Sequence, residues 1–154
     1  MDDFSEARKN MVESQIRPND VTDHRVIAAM SIVPRERFVP AGKRLLAYID
    51  EGVAITSDVS PHSSRYLMEA MYTAKLLQLA EVGGDDLVLD IGCGTGYSSA
   101  VLAQLADSVV ALECDEALVE QANAVLAELE IGNVAVVQGP LEIGCKQEGP
   151  YEVI

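Results

Sequence analysis

The second half of the chain alternates between short apolar stretches and longer stretches with helical periodicity. Runs of mostly Val, Leu, Ile and Ala indicate buried β-strands, and apolar residues spaced one helical turn apart between them indicate amphipathic helices. The predicted elements are strands over 87–91, 108–113 and 133–138, a fourth strand opened by "YEVI", and helices over 97–106 and 116–130. Strands that are apolar throughout and separated by helices are typical of an α/β fold, in which helices cover both faces of a parallel sheet.

The first 60 residues lack this alternation and are typical of helices joined by irregular connections. Helices are predicted over residues 4–16 and 23–32, and a longer one, which opens the second half, over 65–79. Thr22 or Asp23 is a plausible N-cap for the second helix, and Pro34 follows its end. The chain is therefore predicted to divide into an N-terminal helical extension, residues 1–60, and an α/β core, residues 61–154.

Composition narrows the class of protein. The 154 residues carry 25 acidic against 11 basic side chains, a net charge of −14 at pH 7, so we expect neither nucleic acid nor a membrane surface as a partner. The start, "MDDFSEARKN", lacks the basic and apolar segments of a secretory signal, and no apolar run approaches the roughly 20 residues of a membrane span. Three widely spaced cysteines favour a reducing cytoplasm, and no histidine or cysteine spacing indicates a metal site.

Three alternating glycines separate the first strand of the predicted sheet from the next helix. Gly92, Gly94 and Gly96 stand in "LDIGCGTGY" with G-x-G-x-G spacing. A dinucleotide loop has G-x-G-x-x-G, and here Tyr97 occupies the place of its third glycine; the P-loop pattern G-x-x-x-x-G-K-[ST] is absent. Glycines let a ligand approach the backbone where a Cβ would clash. The loop, Cys93 included, is a candidate cofactor site, although a tight turn alone would also use glycine.

Acidic residues end the two strands that flank this loop. Asp90 lies two positions before Gly92, and Glu113 closes the next strand. A carboxylate beside the loop repels a pyrophosphate but attracts the sulfonium and ammonium groups of S-adenosylmethionine, and the start of the helix at Tyr97 suits that ligand's carboxylate. A carboxylate at the end of the second strand accepts hydrogen bonds from ribose hydroxyls. The pattern favours S-adenosylmethionine over a nicotinamide dinucleotide.

Several motifs extend the pattern beyond the glycine loop. "VTDHRVIAAMSIVPRERFVP" is a predicted helix followed by V-P-R-E-x-F-V, "VLDIGCGTGY" is the glycine loop, and "NVAVVQG" and "YEVI" are the next two strands. Together they resemble the protein-L-isoaspartate O-methyltransferase family over nearly the whole chain. The resemblance implies a Rossmann-like, S-adenosylmethionine-dependent methyltransferase that acts on isoaspartyl carboxylates in damaged proteins. Such an acceptor is already ionised at pH 7, so little acid–base chemistry is expected.

Two stretches depart from the family pattern. The family carries G-x-x-I-S-x-P before its long helix, with an active-site serine; here the stretch is "AITSDVSPHSSRY", in which Ser63 is the best counterpart. The family's G-D-G, whose aspartate can meet the adenine amino group, is replaced by Gly139, Pro140 and Leu141. Because proline has no N–H to donate, the resemblance implies adenine recognition by the backbone at Leu141 and by packing near Cys114.

The resembled family continues beyond the point that corresponds to Ile154. The resemblance therefore implies a sheet that is incomplete at its C-terminus, within the fourth predicted strand. Such a sheet exposes an edge strand and apolar surface, and we expect this to favour a homodimer through that strand. Two alternatives stay open: a methyltransferase of this fold with another acceptor, and a non-catalytic cofactor-binding or interaction domain.

Overall fold

Ten helices and strands of regular structure are described in the computed structural model, which covers residues 3–57 and 64–154. They are α1 (Ser5–Met11), α2 (His24–Ile32), β1 (Val53–Ala54), β2 (Tyr66–Leu67), α3 (Ala70–Ala80), β3 (Leu87–Ile91), α4 (Tyr97–Leu102), β4 (Ser108–Glu113), α5 (Glu116–Glu128) and β5 (Val134–Gln138). A π-helical turn, Val12–Ile16, continues α1, and 3₁₀ turns cover Arg17–Asn19, Arg35–Phe38, Ala41–Leu46 and Lys146–Glu148. The elements alternate as predicted in the second half of the chain.

The parallel sheet has the order β3-β4-β5, and a further segment joins it on the other side of β3. Val153 forms a parallel bridge with Val88, and the backbone N–H of Leu89 donates to the Val153 carbonyl at 3.0 Å. The fourth predicted strand is present as this single bridge. Because the chain leaves β3 first to one side and later returns to its other side, the carboxyl end of β3 is a switch point, where α/β sheets bind ligands.

Alternation along the strands divides the core into two clusters. On one face, Val88 and Val109 pack with apolar residues contributed by all five helices. On the other face, Leu89, Val110 and Leu112 pack with residues from the 139–151 segment, which include Cys145 and Tyr151. Within the described chain the second face, where long helices were also expected, is covered by this segment and its 3₁₀ turn. The sheet therefore has its helical layer on one side.

A buried arginine fixes the N-terminal region to the helix after the glycine loop. The Arg35 side chain is completely buried; its Nε donates to the Ala47 carbonyl and its Nη2 to the Met68 carbonyl, both at 2.6 Å. Its guanidinium lies 4.9 Å from the centre of the Tyr97 ring, and Phe38 meets that ring edge-on at 5.5 Å. One apolar cluster thus spans both halves of the chain. The division into two domains at residue 60 stays a prediction.

Helix boundaries differ from expectation mainly at α3. The apolar spacing predicted a helix from residue 65, but α3 begins at Ala70 and the residues before it are extended. Leu67, which fits the helical pattern, instead pairs with Val53 in an antiparallel β1–β2 ladder, a long-range contact that overrides local periodicity. By contrast α2 ends at Ile32 as predicted, and Asp23 caps it by accepting a hydrogen bond from the Arg25 N–H at 2.8 Å.

We expect Arg35→Met to lower the free energy of unfolding by about 3 kcal/mol, because the buried carbonyls of Ala47 and Met68 would lose their donors. Urea denaturation followed by circular dichroism measures the change. Arg44→Met is the matched control, since Arg44 is exposed, and it should change the free energy by less than about 0.5 kcal/mol. Equal losses in the two variants would contradict the anchoring role of Arg35.

Candidate functional site

The glycine loop adopts a backbone conformation that favours glycine at three positions. Gly92, Gly94 and Gly96 have φ of +78°, +59° and +93°, a region that L side chains rarely adopt. A Cβ at Gly94 would also lie 2.8 Å from the Ile55 Cδ1 atom. The Gly92 N–H donates to the Leu112 carbonyl at 2.8 Å, which ties the loop to β4. The loop conformation is therefore determined by the backbone angles of its glycines and by the hydrogen bond to β4.

Cys93 and Thr95 tie the loop to its surroundings through hydrogen bonds to backbone carbonyls. Cys93 is buried, its N–H donates to the Leu112 carbonyl at 3.2 Å, and burial raises the pKa of its thiol. The Thr95 hydroxyl donates to the Phe38 carbonyl at 2.6 Å. The V-P-R-E-R-F-V stretch thus supports the glycine loop directly.

Asp90 places a carboxylate at the carboxyl end of β3, beside the loop. The same oxygen, Oδ2, accepts hydrogen bonds from the Ser98 and Ser99 hydroxyls, both at 2.6 Å. Burial raises the pKa of Asp90, which outweighs the lowering by the two hydroxyls, and the nearby charge of Glu113 raises it further. A group of this kind gains from a cationic ligand, which would offset the cost of its buried charge.

Glu113, at the end of β4, is completely buried and fully hydrogen-bonded. Its Oε1 accepts from the backbone N–H groups of Cys114 at 2.8 Å and Asp115 at 3.1 Å. Its Oε2 accepts from the Gly94 N–H at 2.8 Å. Burial alone would raise the pKa of Glu113, but hydrogen bonds from Arg65 and from these backbone groups lower it below its usual value. Glu113 is therefore ionised at neutral pH.

Arg65 is the site residue that the sequence analysis missed. Its Nη1 donates to Glu113 Oε1 at 2.9 Å and its Nη2 to Oε2 at 2.8 Å, a two-pronged ion pair, and Nη2 also reaches the Gly92 carbonyl at 3.3 Å. One feature of the sequence could have indicated Arg65: it is the only Lys or Arg between Arg44 and Lys75. Its partner depends on the β1–β2 ladder, which the local pattern did not predict.

A cavity of about 700 Å³ opens beside these residues. Asp90, Arg65 and the glycine loop line it, together with apolar residues of β2 and α3. Leu141 lies against the loop, its Cδ1 only 3.6 Å from where a Cβ on Gly92 would stand. Cys114 is half-buried beside Glu113. The structure brings all the predicted cofactor residues to one edge of the sheet; Ser63 lies outside the described residues.

The arrangement fits a positively charged nucleoside better than a dinucleotide. Two carboxylates at adjacent strand ends would repel a pyrophosphate, whereas Asp90 would attract a sulfonium or ammonium group. Glu113 lies at the strand end where ribose hydroxyls bind in nucleoside sites, and in this structure it is paired with Arg65. The close approach at Gly94 leaves a bare backbone there. The residues present therefore fit S-adenosylmethionine.

Comparison with known proteins gives the family. The family model of protein-L-isoaspartate(D-aspartate) O-methyltransferase matches residues 6–154. Protein-L-isoaspartate O-methyltransferase 1 of Rhodopseudomonas palustris is 41% identical over 151 residues, which are 98% of this chain and 59% of the relative. Protein-L-isoaspartate O-methyltransferase 2 of an Anaeromyxobacter species is 37% identical over 147 residues, 96% of this chain and 58% of the relative. The chain spans less than two thirds of the length of these relatives.

Structural comparison agrees with the sequence. A solved structure of a protein-L-isoaspartate O-methyltransferase superposes with a TM-score of 0.81 at 24% identity, over 95% of this chain and 46% of the other. This confirms the predicted Rossmann-like methyltransferase fold with an N-terminal helical region. The family consists of S-adenosylmethionine-dependent methyltransferases, as the glycine loop predicted. The chain belongs to the protein-L-isoaspartate(D-aspartate) O-methyltransferase family.

Proposed function

We propose that the chain binds S-adenosylmethionine at the carboxyl ends of β3 and β4. Asp90 would lie near the sulfonium and ammonium groups, Glu113 would accept the ribose hydroxyls, and the backbone at Gly92 and Gly94 would approach the nucleoside. The observation that carries this proposal is the pair of carboxylates at adjacent strand ends, on either side of a loop whose conformation favours glycine. Family membership supports the same ligand.

Five further residues complete the proposed site. Gly96, which begins α4, and Cys93 shape the loop. Leu141 would meet the adenine through its backbone, and Cys114 would pack near it. Ser63 is proposed as a contact to the methyl acceptor on the family resemblance alone.

The proposed reaction is methyl transfer to the carboxylate of isoaspartyl residues in proteins, the activity named for the relatives. Bound S-adenosylmethionine would supply an electrophilic methyl group. The acceptor carboxylate is ionised at pH 7 and needs no base. What this chain contributes is orientation and exclusion of water, and orientation of this kind is worth roughly 7–11 kcal/mol of the barrier. The cavity beside Asp90 is where the two reactants would meet.

A second candidate is methyl transfer to another acceptor. The side of the cavity away from the glycine loop carries apolar side chains that are exposed: Tyr66 is 61% exposed and Met68 44% exposed. Apolar surface of this kind suits a more hydrophobic acceptor than an isoaspartyl carboxylate. The replacement of the family's G-D-G by Gly139, Pro140 and Leu141 is a further departure.

Location and assembly are further proposals for this chain. Of the helices described, none is long and apolar enough to cross a membrane. A cytoplasmic location, the absence of nucleic-acid and membrane partners, and a homodimer through the segment that follows Pro150 stay predictions. Sedimentation of the purified chain tests the last of these, since a purely monomeric species would contradict it.

We expect Asp90→Asn to weaken binding of S-adenosylmethionine about tenfold more than binding of S-adenosylhomocysteine, because only the first carries the sulfonium charge. Glu113→Gln should weaken both ligands alike, by roughly tenfold or more, since both carry the ribose hydroxyls. Titration calorimetry measures the six affinities, which are those of the unmodified protein and of each variant for the two ligands. The preference of the unmodified protein for S-adenosylmethionine should also fall as the pH falls through the pKa of Asp90, because protonation removes the attracting charge.

Asp85→Asn is the matched control for Asp90→Asn. Asp85 is exposed, before the start of β3, and its replacement should leave both affinities unchanged. If Asp90→Asn weakened the two ligands equally, the sulfonium would not lie near Asp90. If the unmodified chain bound neither ligand, the proposed function would fail, and an interaction domain without cofactor would be the better interpretation.

We expect the chain to transfer a labelled methyl group to an isoaspartyl peptide but not to the same peptide with ordinary aspartate. The label should be released by mild base, as methyl esters are. Transfer to neither peptide, with calorimetric binding of S-adenosylmethionine intact, would favour the second candidate acceptor. That outcome would leave cofactor binding in place and would exclude isoaspartyl repair by this chain.

A further inference from the structure

Arg65 covers the carboxylate that the ribose needs. Glu113 is completely buried and does not line the cavity, whereas Arg65 lines it and donates to both carboxylate oxygens. Oε1 already accepts from Cys114 and Asp115, and Oε2 from Gly94. With Arg65 and the Cys114 thiol added, the thiol at 3.4 Å, Oε1 has four donors and Oε2 has two. No acceptor position is left on Glu113 for a ribose hydroxyl, and without Arg65 the position that becomes free is on Oε2, which then keeps only the Gly94 N–H.

The backbone donors to Glu113 are fixed by the fold, whereas the Arg65 side chain can move away from it. The three backbone N–H groups belong to the glycine loop and to the start of α5, which the fold fixes. Arg65 reaches Glu113 through a long side chain with many rotamers, and its guanidinium borders open space in the cavity. Of the six donors, the two from Arg65 can therefore move away without unfolding the site.

The backbone of Arg65 is held while its side chain is the variable part. The Ile55 N–H donates to the Arg65 carbonyl at 2.9 Å, and the Arg65 N–H donates to the Thr56 hydroxyl at 2.9 Å. These bonds keep Cα beside the site whichever way the guanidinium points. Among the described residues that line the cavity, Arg65 is the only lysine or arginine, so no other cation shares its position.

We propose that Arg65 is a positioning residue that competes with the ribose for Glu113, and that the nucleoside binds by displacing its guanidinium. This inference rests on the proposed function. In the free protein Arg65 keeps Glu113 ionised and in place. The ligand's apparent affinity is lowered by the fraction of molecules in which the pair is closed, because only the open state offers Glu113 to the hydroxyls. Arg65 thus sets the concentration range in which the nucleoside is bound.

The test compares nucleoside binding by the full chain and by Arg65→Gln in calorimetry at pH 8, where the freed Glu113 stays ionised. We expect Arg65→Gln to bind S-adenosylhomocysteine about tenfold more tightly than the unmodified chain, since no closed ion pair has to open. Arg65→Lys, which keeps the charge but loses the fork, should lie between them. Arg17→Gln, which breaks an exposed pair with Glu13, is the matched control and should change nothing.

A second comparison measures the contribution of the ribose hydroxyls to binding. Arg65→Gln should bind adenosine more tightly than the unmodified chain does, but should bind 2′,3′-dideoxyadenosine no better, because that ligand has no hydroxyls to place on Glu113. A general loosening of the structure would improve both ligands alike. In the unmodified chain, the Nε–Hε resonance of Arg65, assigned by its loss in Arg65→Lys, should shift when S-adenosylhomocysteine is added.

The outcomes separate the two proposals. If the unmodified chain binds S-adenosylhomocysteine and Arg65→Gln binds it equally or more weakly, Arg65 does not compete, and this inference alone is overturned. An unmoved Arg65 resonance at saturating ligand overturns it as well, even if the glutamine variant does not fold. If neither protein binds the ligand, the proposed function fails and the inference fails with it. Binding by Arg65→Gln but not by the unmodified chain would support the competition by Arg65 and would contradict cofactor binding by the unmodified chain.

Discussion

The buried carboxylate of Glu113 ties together three parts of the chain that the site needs. It accepts backbone N–H groups from the glycine loop after β3 and from the first residues after β4, and it holds Arg65 of the β1–β2 ladder. A buried carboxylate is costly unless it is paired and hydrogen-bonded, so the backbone donors must lie close to their observed positions. The conformation of the glycine loop therefore depends on Glu113 as much as on the absence of side chains at its glycines.

The Asp90 carboxylate, at the end of the neighbouring strand, has fewer hydrogen-bond donors than the Glu113 carboxylate. Two serine hydroxyls bind it, but burial still raises its pKa. In the folded chain a raised carboxyl pKa lowers stability at pH above the ordinary value, and this cost is relieved as the pH falls through the raised pKa. Residues that cost stability in this way cluster at functional sites. One strand end thus carries a fully compensated charge, and its neighbour carries a charge that a cationic ligand would compensate.

Sequence patterns predicted what local physics decides and missed what long-range contacts decide. β3, β4 and the glycine loop were predicted because apolar runs, turn residues and terminal acids are local. The placement of Asp90 and Glu113 at one edge followed from parallel strands alone. The start of α3 and the role of Arg65 could not be predicted in the same way, because both depend on the pairing of β2 with a strand many residues earlier. Leu67 is buried because of the β1–β2 ladder, and its position one helical turn from other apolar residues is a coincidence.

In the proposed function, selection of the cofactor and selection of the methyl acceptor depend on different elements of this fold. The proposed choice of cofactor depends on the strand ends, where Asp90 and the bare backbone of the glycine loop line the cavity and Arg65 covers Glu113. The proposed acceptor would meet the opposite wall, formed by β2 and α3 with exposed apolar side chains such as Tyr66 and Leu76. Arg35 joins the walls, since it binds the Met68 carbonyl and lies over the Tyr97 ring. A change of acceptor can therefore arise on the β2–α3 wall without disturbing the carboxylates that select the cofactor.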